Sequence, residues 1–140
     1  MNDTLYMVIP CYNEEEVLYE TSLRLKEKYR QLAEKKLINN SSKIIFVDDG
    51  SKDNTWSIID KLHLQDDVFS GIKLSRNRGH QNALLAGLIM SKDYADITIS
   101  MDADLQDDIN AIDEMLEKYN EGHDIVYGVR YKREKDTLFK

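Results

Sequence analysis

Residues 43–64 read KIIFVDDGSKDNTWSIIDKLHL, and the changes of pattern inside this stretch decide the fold. KIIFV (43–47) is continuous and apolar, as expected of a strand buried on both faces rather than one alternating between core and water. It stops at two adjacent acids and at Gly50, a residue free to make a tight turn or to admit a close neighbour. From residue 54 the apolar side chains Trp56, Ile59 and Leu62 recur at helical spacing, predicting a helix over roughly 54–64. Asp53 or Ser51 is placed to cap it.

The same strand-then-helix order repeats outward. LYMVI (5–9) reads as a strand, and from Glu14 the residues Val17, Leu18, Leu25, Tyr29 and Leu32 trace a helix that ends at the polar NNSS of 39–42. Downstream, FSGIKLS (69–75) is a short strand and HQNALLAGLIMS (80–91) a helix rich in small residues. DITISM (96–101), AIDEMLEKY (111–119) and DIVYGV (124–129) read as strand, helix and strand. Such alternation with short connections predicts parallel strands joined by right-handed crossovers, an α/β layered sheet in one domain over 1–140. There is no repeat, no low-complexity stretch and a single proline, Pro10.

Composition narrows the function. At 140 residues, 41% hydrophobic and 32% charged, the chain is globular rather than disordered. A net charge of −7 argues against a nucleic-acid partner. The basic cluster Arg130, Lys132, Arg133 and Lys135 reads as a solvated tail or a patch facing phosphate or an anionic surface. One cysteine, Cys11, excludes an internal disulfide and suits a reducing compartment; a buried structural thiol is expected there rather than a nucleophile. With neither a membrane-spanning run nor a signal peptide, the expectation is a soluble, cytosolic chain.

In open parallel sheets ligands bind beyond the carboxyl ends of the strands. Each strand here ends in polar residues: PCYNEE, DDGSKDNT, SRNRGHQN, DADLQDD and GVR. In DADLQDD four aspartates fall within seven positions, and packed like charges call for a counter-ion. If the segment is extended, Asp102 and Asp104 share a face while Ala103 turns away, and Gln106 continues the alternation. Two such carboxylates suit a hard divalent cation and leave coordination positions open for a diphosphate. Asp107 and Asp108 are better read as caps of the following helix. Asp48 and Asp49 could accept hydrogen bonds from a base imide or a ribose hydroxyl. Tyr12 could stack on a base, and Asn13 or Glu14 could cap or hydrogen-bond. Arg76, Arg78 and Gly79 precede a helix N-terminus, an anion-friendly setting. His80 reads as a surface or capping residue, since no second histidine stands at ligand spacing. The glycine-rich dinucleotide, P-loop and serine-hydrolase motifs are all missing.

The set IPCYNEE, IIFVDDGSKDNT, LSRNRG, SMDADLQDD and GVR resembles the N-terminal part of a family 2 glycosyltransferase, of the type that acts on polyprenyl phosphates such as dolichol phosphate or bactoprenol. The resemblance implies a GT-A (Rossmann-like) fold, a UDP- or GDP-sugar donor and Mg²⁺ or Mn²⁺. It places Pro10, Tyr12, Glu14 and Asp48, with Asp49, Arg76 and Gly79, around the nucleotide. Asp102, Asp104 and Gln106 hold the metal against the diphosphate, and Arg130 approaches phosphate. The reaction implied is in-line attack of a lipid phosphate oxygen on the anomeric carbon. A homo-oligomer is compatible with this class.

The sequence departs from the pattern in two ways. Ile109 stands where the family commonly has proline, so a slightly different helix entry is expected. The acceptor-side and membrane-associated segments usual in the family are absent. The chain is therefore expected to be a donor-binding part, truncated on its C-terminal side, that binds nucleotide and metal but transfers sugar poorly or not at all. By this reading it is cytoplasmic, and the full-length protein works at the cytoplasmic face of the membrane through segments not present here. Rival readings are a receiver domain, whose acid pair would follow the first strand, a nucleotidyltransferase, which would carry a glycine-rich basic loop there, and a non-catalytic binding module.

Overall fold

The computed structural model describes residues 3–105 and 109–122. Its elements run β1 (Leu5–Cys11), α1 (Leu18–Glu34), β2 (Lys43–Asp48), α2 (Thr55–Gln65), β3 (Phe69–Lys73), α3 (His80–Ser91), β4 (Ile97–Ser100) and α4 (Ala111–Asn120). The strands form one sheet in the order β3-β2-β1-β4, and every pairing is parallel. Gln106, Asp107, Asp108, the strand expected at 124–129 and Arg130 lie outside the described residues.

The order of the strands positions the site. The chain steps from β1 to β2 to β3 in one direction, then returns past β1 to lay down β4 on the other side. Connections on either side of such a reversal leave opposite faces of the sheet, so a crevice opens between β1 and β4 at their carboxyl ends.

The faces are covered unequally. On one, Leu5, Met7 and Ile9 of β1 and Ile44 and Phe46 of β2 share a core with Leu18, Leu25 and Leu32 of α1, Ile59 and Leu62 of α2, and Ile112 and Leu116 of α4. On the other, Val8, Ile45 and Val47 meet Ala83 of α3. Small residues let α3 lie close: a Cβ on Gly87 would stand 2.4 Å from Val8 Cγ1. Pro10 sits inside β1 without cost, because it falls past the last β1–β4 pair, Val8↔Ser100, where the ladder needs no N–H.

The expected elements are present with shifted ends. The first helix begins at Leu18 rather than Glu14, because residues 13–17 form a turn in which the Glu14 carbonyl accepts from the N–H groups of Val17 and Leu18. At α2 neither expected cap takes the N-cap place, which Asn54 holds with no side-chain bond. Asp53 Oδ1 instead accepts from the N–H and hydroxyl of Thr55, the first helical residue, at 2.9 and 2.6 Å. Ser51 is used elsewhere, accepting the Asn13 N–H at 2.9 Å. Ile109, in the place of the family's proline, is buried in the core, and α4 starts two residues later at Ala111.

Candidate functional site

A cavity of about 320 Å³ opens at the β1–β4 reversal, lined by the ends of three strand-exit loops. The end of β1 and the loop after it supply Pro10, Tyr12 and Glu14, the loop before α3 and that helix's first residue supply Asn77, Gly79 and His80, and the loop after β4 supplies Asp102, Ala103 and Asp104. Cys11 and Asp49 complete the floor. This volume is at the lower end of the usual range for small-molecule sites.

Local hydrogen bonds hold each loop. Asn13 adopts a left-handed backbone (φ 53°), and its Oδ1 accepts the Lys52 N–H at 2.9 Å. The Glu14 N–H donates to Thr55 Oγ1 at 2.8 Å, tying the first loop to the start of α2. Asp49 is buried and spends its carboxylate on the chain itself, accepting the N–H groups of Arg78 (2.7 Å) and Gly79 (3.1 Å). Asp49 thereby fastens the loop that leads into α3 while still lining the cavity. Gly50 serves the same junction. It has φ +71°, and a Cβ there would lie 2.4 Å from the backbone of Arg76 and Asn77, so the close neighbour it admits is the chain's own loop.

The acidic segment is not extended, which corrects the alternation argument. β4 ends at Ser100, and residues 102–105 form a turn closed by the Leu105 N–H on the Asp102 carbonyl at 3.0 Å. Leu105 takes a left-handed conformation (φ 52°) to complete it. Asp102 and Asp104 still line one cavity, brought there by the turn rather than by the pleat. The buried hydroxyl of Thr21 on α1 donates to the Ala103 carbonyl at 2.6 Å and holds the turn from below. Burial chiefly, and then the negative charges of Asp104, Asp53 and Asp102, push the Glu14 carboxyl above its usual range. The cavity thus concentrates negative charge, which a cation would relieve.

Among the described residues no group of three or more His, Cys, Asp and Glu side chains converges as a complete metal cage. A two-carboxylate site is the pattern a hard cation takes when its remaining oxygens come from a bound phosphate, so the donor set fits a metal that arrives with its ligand. The third expected ligand, Gln106, lies outside the described residues.

Of the residues singled out in the sequence, Pro10, Tyr12, Glu14, Asp49, Gly79, Asp102 and Asp104 surround the cavity. Arg76 and Asp48 are not among its lining residues. Asp48 is fully buried; its Oδ1 accepts the Ser51 N–H at 3.2 Å, while its Oδ2 has no partner among the described residues. Asn77, which the sequence reading passed over, and His80, which it reads as a surface or capping residue, both line the cavity. His80 Nε2 stands 3.9 Å from Asp102 Oδ1, a placement no local pattern announces because 22 residues separate the two in the chain. The expectation for Cys11 holds: the thiol is buried, donates to the Ile9 carbonyl at 3.4 Å, and burial pushes its pKa upward, away from a nucleophile.

A parallel sheet that reverses at β1–β4, with a paired-aspartate turn on one side of the crevice and a tyrosine–glutamate loop on the other, has the GT-A architecture of nucleotide-sugar transferases. The chain belongs to glycosyl transferase family 2, whose family model matches residues 6–140. It is 54% identical over 136 residues to the uncharacterized glycosyltransferase YkoT of Bacillus subtilis, covering 97% of this chain and 40% of that protein. It is 37% identical over 139 residues to the prophage bactoprenol glucosyl transferase homolog of Escherichia coli K12, covering 96% and 41%. Among solved structures, the mannosyltransferase PcManGT from Pyrobaculum calidifontis, in complex with GDP-Man and Mn²⁺, superposes with a TM-score of 0.60 at 20% identity over 74% of this chain and 28% of that one. S. aureus TarS 1-349 in complex with UDP gives 0.56 at 21% identity over 80% and 32%. The chain therefore spans about two fifths of the length of its curated relatives. Membership of the family displaces the receiver and nucleotidyltransferase readings. No described helix is long and apolar enough to cross a membrane.

Proposed function

We propose that this chain is the donor-binding part of a metal-dependent glycosyltransferase that moves a sugar from a UDP- or GDP-sugar to a polyprenyl phosphate. The observation that carries the reading is the meeting of Asp102 and Asp104 with the Pro10–Glu14 and 77–80 loops around one cavity at the strand reversal. The unpartnered Oδ2 of Asp48 supports it, since a buried carboxylate oxygen without a donor is an acceptor held for a ligand's N–H or O–H. The relatives named as bactoprenol glucosyl transferases support the acceptor class. The solved neighbours with GDP-Man and UDP support the donor class.

In this reading Tyr12 stacks on the base, Glu14 and Asp48 accept from base and ribose, and Pro10 shapes the pocket floor. The Asp49-pinned loop presents Gly79 and the first turn of α3 toward the diphosphate, where the helix's positive end favours an anion. Asp102 and Asp104, with Gln106, would hold Mg²⁺ or Mn²⁺, which when bound supplies Lewis-acid neutralisation of the departing diphosphate. Arg76 and Arg130 belong to the phosphate-facing set. The acceptor is already an anion, so the chain needs no general base to activate it. The 140 residues bind donor but turn it over slowly or not at all.

Calorimetric titration with UDP and GDP, with and without Mn²⁺, tests the proposal. Mn²⁺ should tighten binding, and Asp104→Ala should weaken the Mn²⁺-supported binding by roughly tenfold or more, the usual effect of losing a metal ligand's contribution. Nucleotide binding that ignores Mn²⁺ and survives Asp104→Ala overturns it.

A further inference from the structure

From Ala83 to Met90 the helix α3 is apolar on every side, a pattern that belongs to helices covered all round. Its inner stripe, Ala83, Gly87 and Ser91, is buried on the sheet. On the opposite side Leu85 is 52% and Ile89 56% exposed, one turn apart and therefore on one face, with Met90 57% exposed on the flank. Tyr94, just past the helix, is 67% exposed and lies stacked against Tyr6 at a centroid distance of 6.4 Å. Scattered surface leucines need no explanation, whereas a contiguous set on the outer face of one helix marks a contact surface.

Charge identifies the partner. Residues 68–92 contain no Asp or Glu, although the chain as a whole carries a net charge of −7. They contain Lys73, Arg76, Arg78 and Lys92, and Arg76, Arg78 and Lys92 are exposed at the two ends of α3; the flanking acids are Asp66 and Asp67 before the stretch and Asp93 after it. A second copy of the chain seated on this face through a twofold axis would set these cations against their own equivalents. A surface of anionic headgroups over acyl chains matches both the apolar stripe and its basic ends.

We propose that the outer face of α3 is a docking surface for an anionic lipid bilayer, with Leu85 and Ile89 entering the headgroup region and the basic ends facing lipid phosphate. This goes beyond the donor-binding role, and it departs from the expectation that membrane contact resides only in segments beyond this chain. It also has a geometric consequence. Gly79 and His80 at the helix start line the cavity, so docking through α3 sets the cavity mouth beside the bilayer, where a lipid-borne phosphate would be met.

The test is flotation of the 140-residue chain with vesicles of phosphatidylcholine containing phosphatidylglycerol, and with vesicles of phosphatidylcholine alone, in the absence of nucleotide. The chain should float with the anionic vesicles, poorly with the neutral ones, and less as salt rises from about 0.1 M to about 0.5 M. The double variant Leu85→Ser/Ile89→Ser should lose vesicle binding by about tenfold, both changes lying on the exposed face. Far-UV circular dichroism of that variant should match the parent and shows that the loss is not unfolding. Lys92→Gln should weaken binding to anionic vesicles alone. No flotation of the parent, equal flotation with neutral vesicles, or undiminished binding by the double variant overturns the proposal. So does a concentration-dependent dimer that the double variant dissolves without any vesicle binding by the parent. Because no nucleotide is present, failure here is separable from failure of the donor-binding reading.

Discussion

Gly50 is the point where the loop leaving β2 touches the loop entering α3. Its backbone is left-handed and its Cα faces the Arg76–Asn77 peptide so closely that a methyl group would overlap backbone atoms rather than a flexible side chain. Gly50→Ala is therefore expected to destabilise the chain by about 2–4 kcal/mol, combining conformational strain with displacement of the neighbouring loop. Chemical denaturation checks this, and a change below about 0.5 kcal/mol would show that the contact yields. The adjacent aspartates illustrate what single residues disclose. That Asp48 and Asp49 matter is visible from two acids ending a buried strand. That one is tied to the N–H groups of residues 78 and 79 while the other keeps an oxygen unpartnered is set by tertiary contacts, and no local pattern separates them.

At the scale of elements, α1 and α4 are joined by a charge that sequence periodicity assigns to water. Lys28 lies on the inner side of α1 with its side chain only 6% exposed, and its Nζ donates to Asp113 Oδ1 of α4 at 2.8 Å. Lys35, largely exposed, donates to the other oxygen at 2.6 Å. Burial tends to raise the Asp113 pKa, but the bonds and charges of Lys28 and Lys35 outweigh it and hold the carboxyl below its ordinary 3.8. With the folded-state value depressed, the unfolded chain binds more protons in the window just below 3.8. The stabilisation is thus fully present above that pH and is lost as acid drives the pH down through the folded-state value. Asp113→Asn leaves Lys28 buried without its counter-charge and should cost roughly 3 kcal/mol at neutral pH. Its deficit relative to the parent should shrink in acid, measured as melting temperature against pH. A constant deficit down to strongly acid pH would refute the pairing as its cause.

The type and order of the described elements were readable in advance because buried parallel strands and amphipathic helices differ in period. Their ends were not, since Asn13, Ser51 and Thr55 spend their bonds on partners about 40 residues away. For the same reason the acidic turn was mistaken for extended chain. Only the left-handed Leu105 and the grip of α1 on Ala103 make it a turn.

For the whole molecule, the site is assembled from loops that follow β1, β3 and β4, with Asp49 from the end of β2 in its floor, so a ligand that fills it bridges most of the fold. Binding then acts on global stability by mass action, worth about 2.7 kcal/mol at a hundredfold excess over Kd. UDP or GDP with Mn²⁺ at that excess should raise the melting temperature by roughly 8 °C for a chain of this size, and a site weakened tenfold in Asp104→Ala should cut the rise to about half. A shift retained in full by the variant would locate the nucleotide elsewhere. That loops from separate strands converge was visible in their shared polarity at strand ends. Which of them adjoin follows from the order β3-β2-β1-β4, and this places His80 beside Asp102.

The bond from Thr21 to the Ala103 carbonyl carries a mechanical implication. It fastens the peptide between the two aspartates to the first turn of the helix that follows the tyrosine–glutamate loop, so the opposite jaws of the crevice are bolted to a common beam. Closure over a donor cannot proceed by swinging one jaw on this side. The span before α3 is attached differently, by the Asp49 carboxylate, by the Leu74 N–H on the Asp48 carbonyl and by its close approach to Gly50.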